Sequence, residues 1–358
     1  MRISASVVAS TVSEPTPQRG LREVRISASV VALVAALPAW AAQGETVWPP
    51  AANLARPRDT APPPPDAAES EVSSGVPCSW HPPLVPKQDN GISIWQPIVV
   101  RDGRLMVIEI AAVESCGRPR VEWAGQTFTS YPTGDVWQSL LPVRLGAEPG
   151  SHLFGVNCDG RRAGFSVDVV AGDYPETELR VKPKFSKKPP KRVVIEAATI
   201  KEALAVRTEG RRWTEAFLRP ALGPTTSVFG AKRTFNGKVD SRHRGHDFDG
   251  RVGTPVVAAN DGTVVLVAER YYFTGNAVFI DHGDRLFTMY FHLSRVDVET
   301  GDRVERGQVI GAIGQSGRVT GPHLHFAVKV AGSYVDPTCL LAYEPGVRLS
   351  DRAGATSR

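Results

Sequence analysis

His243-Arg-Gly-His-Asp247 opens, and Gly321-Pro-His323-Leu-His325-Phe326 closes, the stretch whose reading decides the fold. Between them lie Thr254-Pro-Val-Val-Ala, Gly262-Thr-Val-Val-Leu-Val-Ala, Asn276-Ala-Val-Phe-Ile-Asp281 and Met289-Tyr-Phe-His-Leu293. These runs are short, rich in β-branched and aromatic residues, and separated by Gly and Asp, so they predict consecutive strands joined by tight turns. Side chains alternate faces along a strand, which puts His323 and His325 on one face and Leu324 on the other. One imidazole of such a pair can hold a metal while its neighbour works beside it. Gly245 is a poor helix residue, so His243-x-x-x-Asp247 is read as strand running into a bend. One Asp and two His give mixed oxygen and nitrogen ligation for Zn²⁺ and leave a fourth position for water, as catalytic zinc sites do. No cysteine lies near these residues, which argues against a structural zinc.

His243-x-x-x-Asp247, Met289-Tyr-Phe-His292-Leu and Gly-Pro-His323-Leu-His325-Phe together resemble the lysostaphin-like (LytM-type) zinc endopeptidases that cut peptidoglycan. Ser227-Val-Phe-Gly230, the glycine-punctuated Gly301–Gly311 segment and Val335-Asp-Pro337 look like the same family. The resemblance covers roughly residues 220 to 342. It implies one Zn²⁺ per chain held by His243, Asp247 and His325, with His292 and His323 as catalytic histidines. It does not divide the work between those two. His246 departs from the family's usual aliphatic residue and adds a possible further ligand. Asp249 is a candidate for orienting a ligand from outside the coordination sphere. His282 reads as structural, and Tyr271-Tyr-Phe273 either lines a groove or packs. No His-Glu-x-x-His helix and no nucleophilic Ser or Cys motif is present.

Working outward, 358 residues allow two domains plus tails. The expected fold is mainly β: an antiparallel-sheet metallopeptidase domain preceded by a small immunoglobulin-like β-sandwich and a short helical linker. Residues 1–41 read as a signal-peptide region, with Arg2–Ala9 repeated as Arg25–Ala32, a start near Val24 and cleavage after Ala41. Residues 42–88 are rich in Pro and Ala and read as a disordered linker. Residues 89–176 alternate short apolar runs with turns, as a small antiparallel sandwich does; His152 there reads as surface or packing. Residues 177–224 hold a basic hinge and two helical patterns, Ala197–Arg207 and Arg211–Arg219, stopped by Pro220 and Pro224. The endopeptidase domain is assigned to 225–345 and a tail to 346–358.

The net charge of +5 is compatible with an anionic polymer, and no nucleic-acid motif accompanies it. The implied partner is a peptidoglycan peptide. No nucleic acid, no stable membrane span after signal cleavage and a monomer are expected, in the periplasm or outside the cell. Four cysteines in an exported chain invite disulfides, and Cys116 with Cys158, both at run ends of one module, is the expected pair. The competing readings are a non-catalytic wall-binding or hydrolase-activating protein on the same scaffold, and a carrier barrel. The first would lack ligands or catalytic histidines, and all five are present. The second needs a modifiable Lys at a hairpin tip, and none sits there.

Overall fold

The computed structural model describes residues 84–111, 116–179, 190–235 and 238–351. The signal-peptide reading of 1–41, most of the Pro-rich stretch and Cys78 fall outside them. Among the described residues, no helix is long and apolar enough to cross a membrane.

The first ten strands are β1 (Leu84–Asp89), β2 (Ile92–Pro97), β3 (Val99–Arg101), β4 (Leu105–Ala111), β5 (Arg120–Trp123), β6 (Gln126–Thr129), β7 (Tyr131–Thr133), β8 (Val136–Pro142), β9 (Gly150–Cys158) and β10 (Arg161–Val170). They form two five-stranded sheets, ordered β1-β2-β4-β8-β7 and β3-β10-β9-β5-β6. Strict alternation in β10 turns Ala163, Phe165, Val167 and Val169 inward, where they join Ile92, Ile94, Ile108 and Leu141 of the facing sheet. Cys116 and Cys158 are disulfide-bonded, with Cα atoms 5.4 Å apart. β1 begins inside the stretch read as linker, so order starts earlier than the composition suggests.

The second half comprises β11 (Glu176–Leu179), α1 (Arg192–Ala203), β12 (Thr225–Ser227), β13 (Lys232–Phe235), β14 (Lys238–Arg242), β15 (His246–Asp249), β16 (Pro255–Val257), β17 (Gly262–Tyr271), β18 (Gly275–Asp281), β19 (Leu286–Leu293), β20 (Arg295–Val296), β21 (Arg303–Val304), β22 (Val309–Ala312), β23 (His323–Val330), β24 (Ser333–Val335) and α2 (Pro337–Leu341). The main sheet runs β12-β15-β23-β19-β18-β17-β21, with β24 on β23. Among the described residues, all of its strand pairings are antiparallel. β18, β19 and β23 are nearly continuous apolar runs because both faces are covered.

Two expectations for the linker are corrected. Its first helix spans Arg192–Ala203, shifted towards the N-terminus, and Arg211–Arg219 is not a helix. Trp213 and Phe217 are spaced like one helix face, yet both are buried from irregular chain, 4.9 Å apart between ring centroids. Arg212 N–H donates to the His282 carbonyl and Leu218 N–H to that of Ala259, so pairing with neighbouring segments replaces the helical ladder.

The two halves are stitched together by polar contacts. Arg104 of the sandwich pairs with buried Asp336 at 2.9 Å, and Asp336 N–H donates to the Gly103 carbonyl. Buried Glu109 accepts from the backbone N–H groups of Leu349 and Ser350, and Gln138 donates to the Val347 carbonyl. Residues 347–350, part of the stretch 346–358 read as a tail, are therefore docked on the sandwich.

Candidate metal centre and flanking histidines

β15 and β23 are paired so that Asp247 faces His325 and Asp249 faces His323; across the other edge of β23, Phe291 faces His325. His243 lies in the bend just before β15. Its Nδ1–H donates to the Val228 carbonyl at 2.8 Å, which turns the Nε2 lone pair inward. That contact gives Ser227-Val-Phe-Gly230 a physical task. His243 Nε2 is 3.0 Å from both Asp247 Oδ1 and His325 Nδ1, and the last two are 2.8 Å apart. Three acceptor atoms so close repel one another unless a cation or a proton lies among them, so the donor set fits a metal ion. Burial alone would raise the Asp247 pKa, but the His243 and His325 rings beside it hold its carboxyl well below the usual carboxylate range. The His325 ring stacks on Phe291, with centroids 5.2 Å apart.

Gly245 is needed for this approach. A Cβ there would stand 2.5 Å from the Phe326 carbonyl oxygen and 2.7 Å from His325 Nε2.

His323 and His292 flank the cluster, with ring centroids 4.9 Å apart. His323 Nδ1–H donates to the Gly321 carbonyl and His292 Nδ1–H to the Ser316 carbonyl, each at 2.9 Å. Each ring thus keeps its lone pair on Nε2. His323 Nε2 is 3.8 Å from Asp247 Oδ1. Burial, reinforced by His325 and His323, pushes the His292 pKa down to about 3, so the ring is neutral near pH 7. His292 also has φ of +68°, a conformation uncommon for a residue with a Cβ.

The remaining candidates separate cleanly. His246 projects to the other face, with Nδ1 3.7 Å from Asp336 Oδ1, and does not join the cluster. Asp249 is exposed. His152 bonds the Glu148 carbonyl at the surface of the sandwich. The roles of Ser316, Thr274 and Val228 were not legible in the sequence because they act through backbone carbonyls, which carry no residue signature.

His282 is structural: fully buried, it bonds the Asp261 carbonyl and Thr288 Oγ1. Burial pushes its pKa down to about 4. An unfolded chain titrates it near 6.5, so between pH 6.5 and 4 the unfolded state binds the extra proton and stability falls as pH falls. The expected loss is roughly 3 kcal/mol across that window. Urea titrations at pH 7 and pH 4.5 should show a smaller stability difference for His282→Gln than for the parent; equal differences would refute this.

Residues 241–337 match Peptidase family M23. The chain carries a peptidase M23 domain, and His243, Asp247, His292, His323 and His325 all lie within it. Peptidoglycan DD-endopeptidase ShyC of Vibrio cholerae is 44% identical over 132 residues, 36% of this chain and 30% of that protein. DD-carboxypeptidase/endopeptidase Mpg of Neisseria meningitidis is 38% identical over 111 residues, 31% of this chain and 25% of that protein. The chain thus spans under a third of the length of these curated relatives. A Pseudomonas aeruginosa protein assigned to peptidase M23 has a crystal structure that superposes with a TM-score of 0.53 at 28% identity, covering 68% of this chain and 95% of that one.

Proposed function

We propose that this protein is an exported zinc metalloendopeptidase that hydrolyses peptide cross-links or stems of peptidoglycan, in the periplasm or outside the cell. The observation that carries the reading is the meeting of three converging acceptor atoms with two histidines anchored through Nδ1. The endopeptidase relatives support the substrate class. His243, Asp247 and His325 would hold the zinc. The ion would supply Lewis acidity, acidifying water and polarising a carbonyl. His323, with its Nε2 lone pair beside Asp247, takes a proton from the attacking water and returns it to the leaving amine. His292 offers a second Nε2; once protonated, either ring donates to a developing oxyanion.

Digestion of purified peptidoglycan followed by mass analysis tests this. Products should differ from substrate by hydrolysed peptide bonds, and a chelator should stop their formation. Intact peptides, or cleavage of glycan linkages, would contradict it.

The need for Gly245 gives a second test. In Gly245→Ala, zinc affinity measured by chelator competition should fall roughly 10–100-fold, as when other groups that orient ligands are disturbed. Unchanged affinity would show that the approach of β23 to Gly245 does not matter.

We also infer that the N-terminal module is immunoglobulin-like. Lettered in chain order from β2 and omitting β3 and β6, its sheets contain A-B-E-D as β2-β4-β8-β7 and G-F-C as β10-β9-β5. An experimental structure with a different strand order would refute this.

A further inference from the structure

The left-handed backbone of His292 is held from two sides. Its N–H donates to the Thr274 carbonyl at 2.9 Å, and its ring to the Ser316 carbonyl. Thr274 belongs to the β17–β18 turn, so that turn and the loop carrying Ser316 together set the position of the imidazole. The two are bound to each other. Asn276 N–H donates to Ser316 Oγ, and Arg318 N–H to the Phe273 carbonyl. Gly275 is pressed so closely on Ser316 that a Cβ would lie 2.2 Å from its Oγ.

Two side chains from outside the peptidase match, Glu196 and Arg192, reach this turn. Glu196 of α1 accepts the Tyr272 N–H through Oε2 at 2.9 Å. Its Oε1 lies 3.3 Å from Arg192 Nε, and Arg192 Nη2 donates to the Arg270 carbonyl at the start of the same turn. The Glu196 side chain is only 14% exposed, although no residue of α1 is fully buried. α1 is attached by this polar contact together with Ile200, which packs on the core cluster containing Leu204 and Ala268.

We propose that Glu196 is a positioning residue for His292, acting through the 272–275 turn. This rests on the reading of His292 as a catalytic histidine. A carboxylate suits the task because a charge-assisted bond to a backbone N–H is shorter and stronger than a neutral one. A conformation that a residue with a Cβ seldom adopts persists only where its surroundings fix it. Releasing Tyr272 lets the turn relax, and the Thr274 carbonyl moves away from His292 N–H. Displacements of about 1 Å in a catalytic group cost on the order of 10²-fold in rate.

The test uses the full chain with Glu196→Met, which keeps length without an acceptor, and Glu196→Gln, which keeps the acceptor. Turnover is measured on a purified cross-linked peptidoglycan peptide, alongside zinc content. Glu196→Met should lose roughly 10- to 100-fold in kcat, with KM and zinc content unchanged, and Glu196→Gln should recover most of the rate. In a His292→Ala background, Glu196→Met should add no further loss, since the two act as one unit. The inference is overturned if Glu196→Met keeps full kcat, if Glu196→Gln is equally impaired, if zinc is lost, or if the two losses multiply. His292→Ala separates the levels: parental activity in that variant refutes the catalytic assignment itself, whereas an inactive His292→Ala beside a normal Glu196→Met refutes only the positioning role.

Discussion

His323→Ala should keep its zinc and lose turnover by roughly 10²–10⁴-fold, whereas His325→Ala should lose the metal. The two residues leave the same face of β23, two positions apart, and their surroundings divide them. His325 Nδ1 stands among the ligand atoms, 2.8 Å from Asp247 Oδ1 and 3.0 Å from His243 Nε2. Without it a bound metal would keep only two of the three proposed protein ligands. The His323 ring is tied back to the Gly321 carbonyl and reaches the cluster only at 3.8 Å from Asp247. Elemental analysis and single-turnover rates on the two variants check the contrast. Zinc lost from His323→Ala and kept by His325→Ala would reverse the roles.

Arg104→Ala should be the most damaging change in the interface, costing on the order of 3–5 kcal/mol, because it strands a buried charge. Asp336, with 7% of its side chain exposed, pairs with Arg104 and caps α2 through Thr338 N–H. Its Oδ1 also faces His246 on the strand that carries Asp247. With Arg104 gone, the other contacts do not neutralise Asp336. A denaturant titration should show the midpoint lowered, and Arg104→Ala with Asp336→Asn should recover part of the loss. A parental midpoint in Arg104→Ala would show that the pair is not coupled to folding. The same contact argues that excising the sandwich leaves a weakened peptidase half.

Much of the site was readable because its chemistry is carried by rare side chains at strand spacing. Alternation alone puts His323 and His325 together, and the Gly-punctuated runs predict the antiparallel sheet that brings β15 beside β23. Resemblance, not periodicity, assigned the candidate ligands and the candidate catalytic histidines. Two kinds of feature stayed hidden. Backbone acceptors such as the Val228, Thr274 and Ser316 carbonyls are available from any residue, so no residue type marks them. Tertiary pairing also overrode local pattern at Arg211–Arg219, where Trp213 and Phe217 imitate a helix face while their neighbours bond to the His282 and Ala259 carbonyls. The docking of residues 347–350 was likewise invisible, because Glu109 reads as one polar residue in the strand Leu105–Ala111 until the chain's end closes over it.

The central claim is that His243, Asp247 and His325 hold one catalytic zinc. Anomalous scattering from crystals of zinc-supplied protein, collected on either side of the zinc absorption edge, tests it most directly. The account predicts a single strong peak within bonding distance of His243 Nε2, Asp247 Oδ1 and His325 Nδ1, about 2.0–2.2 Å from each. A peak beside His246 and Asp336 instead, or none at the cluster, would contradict it.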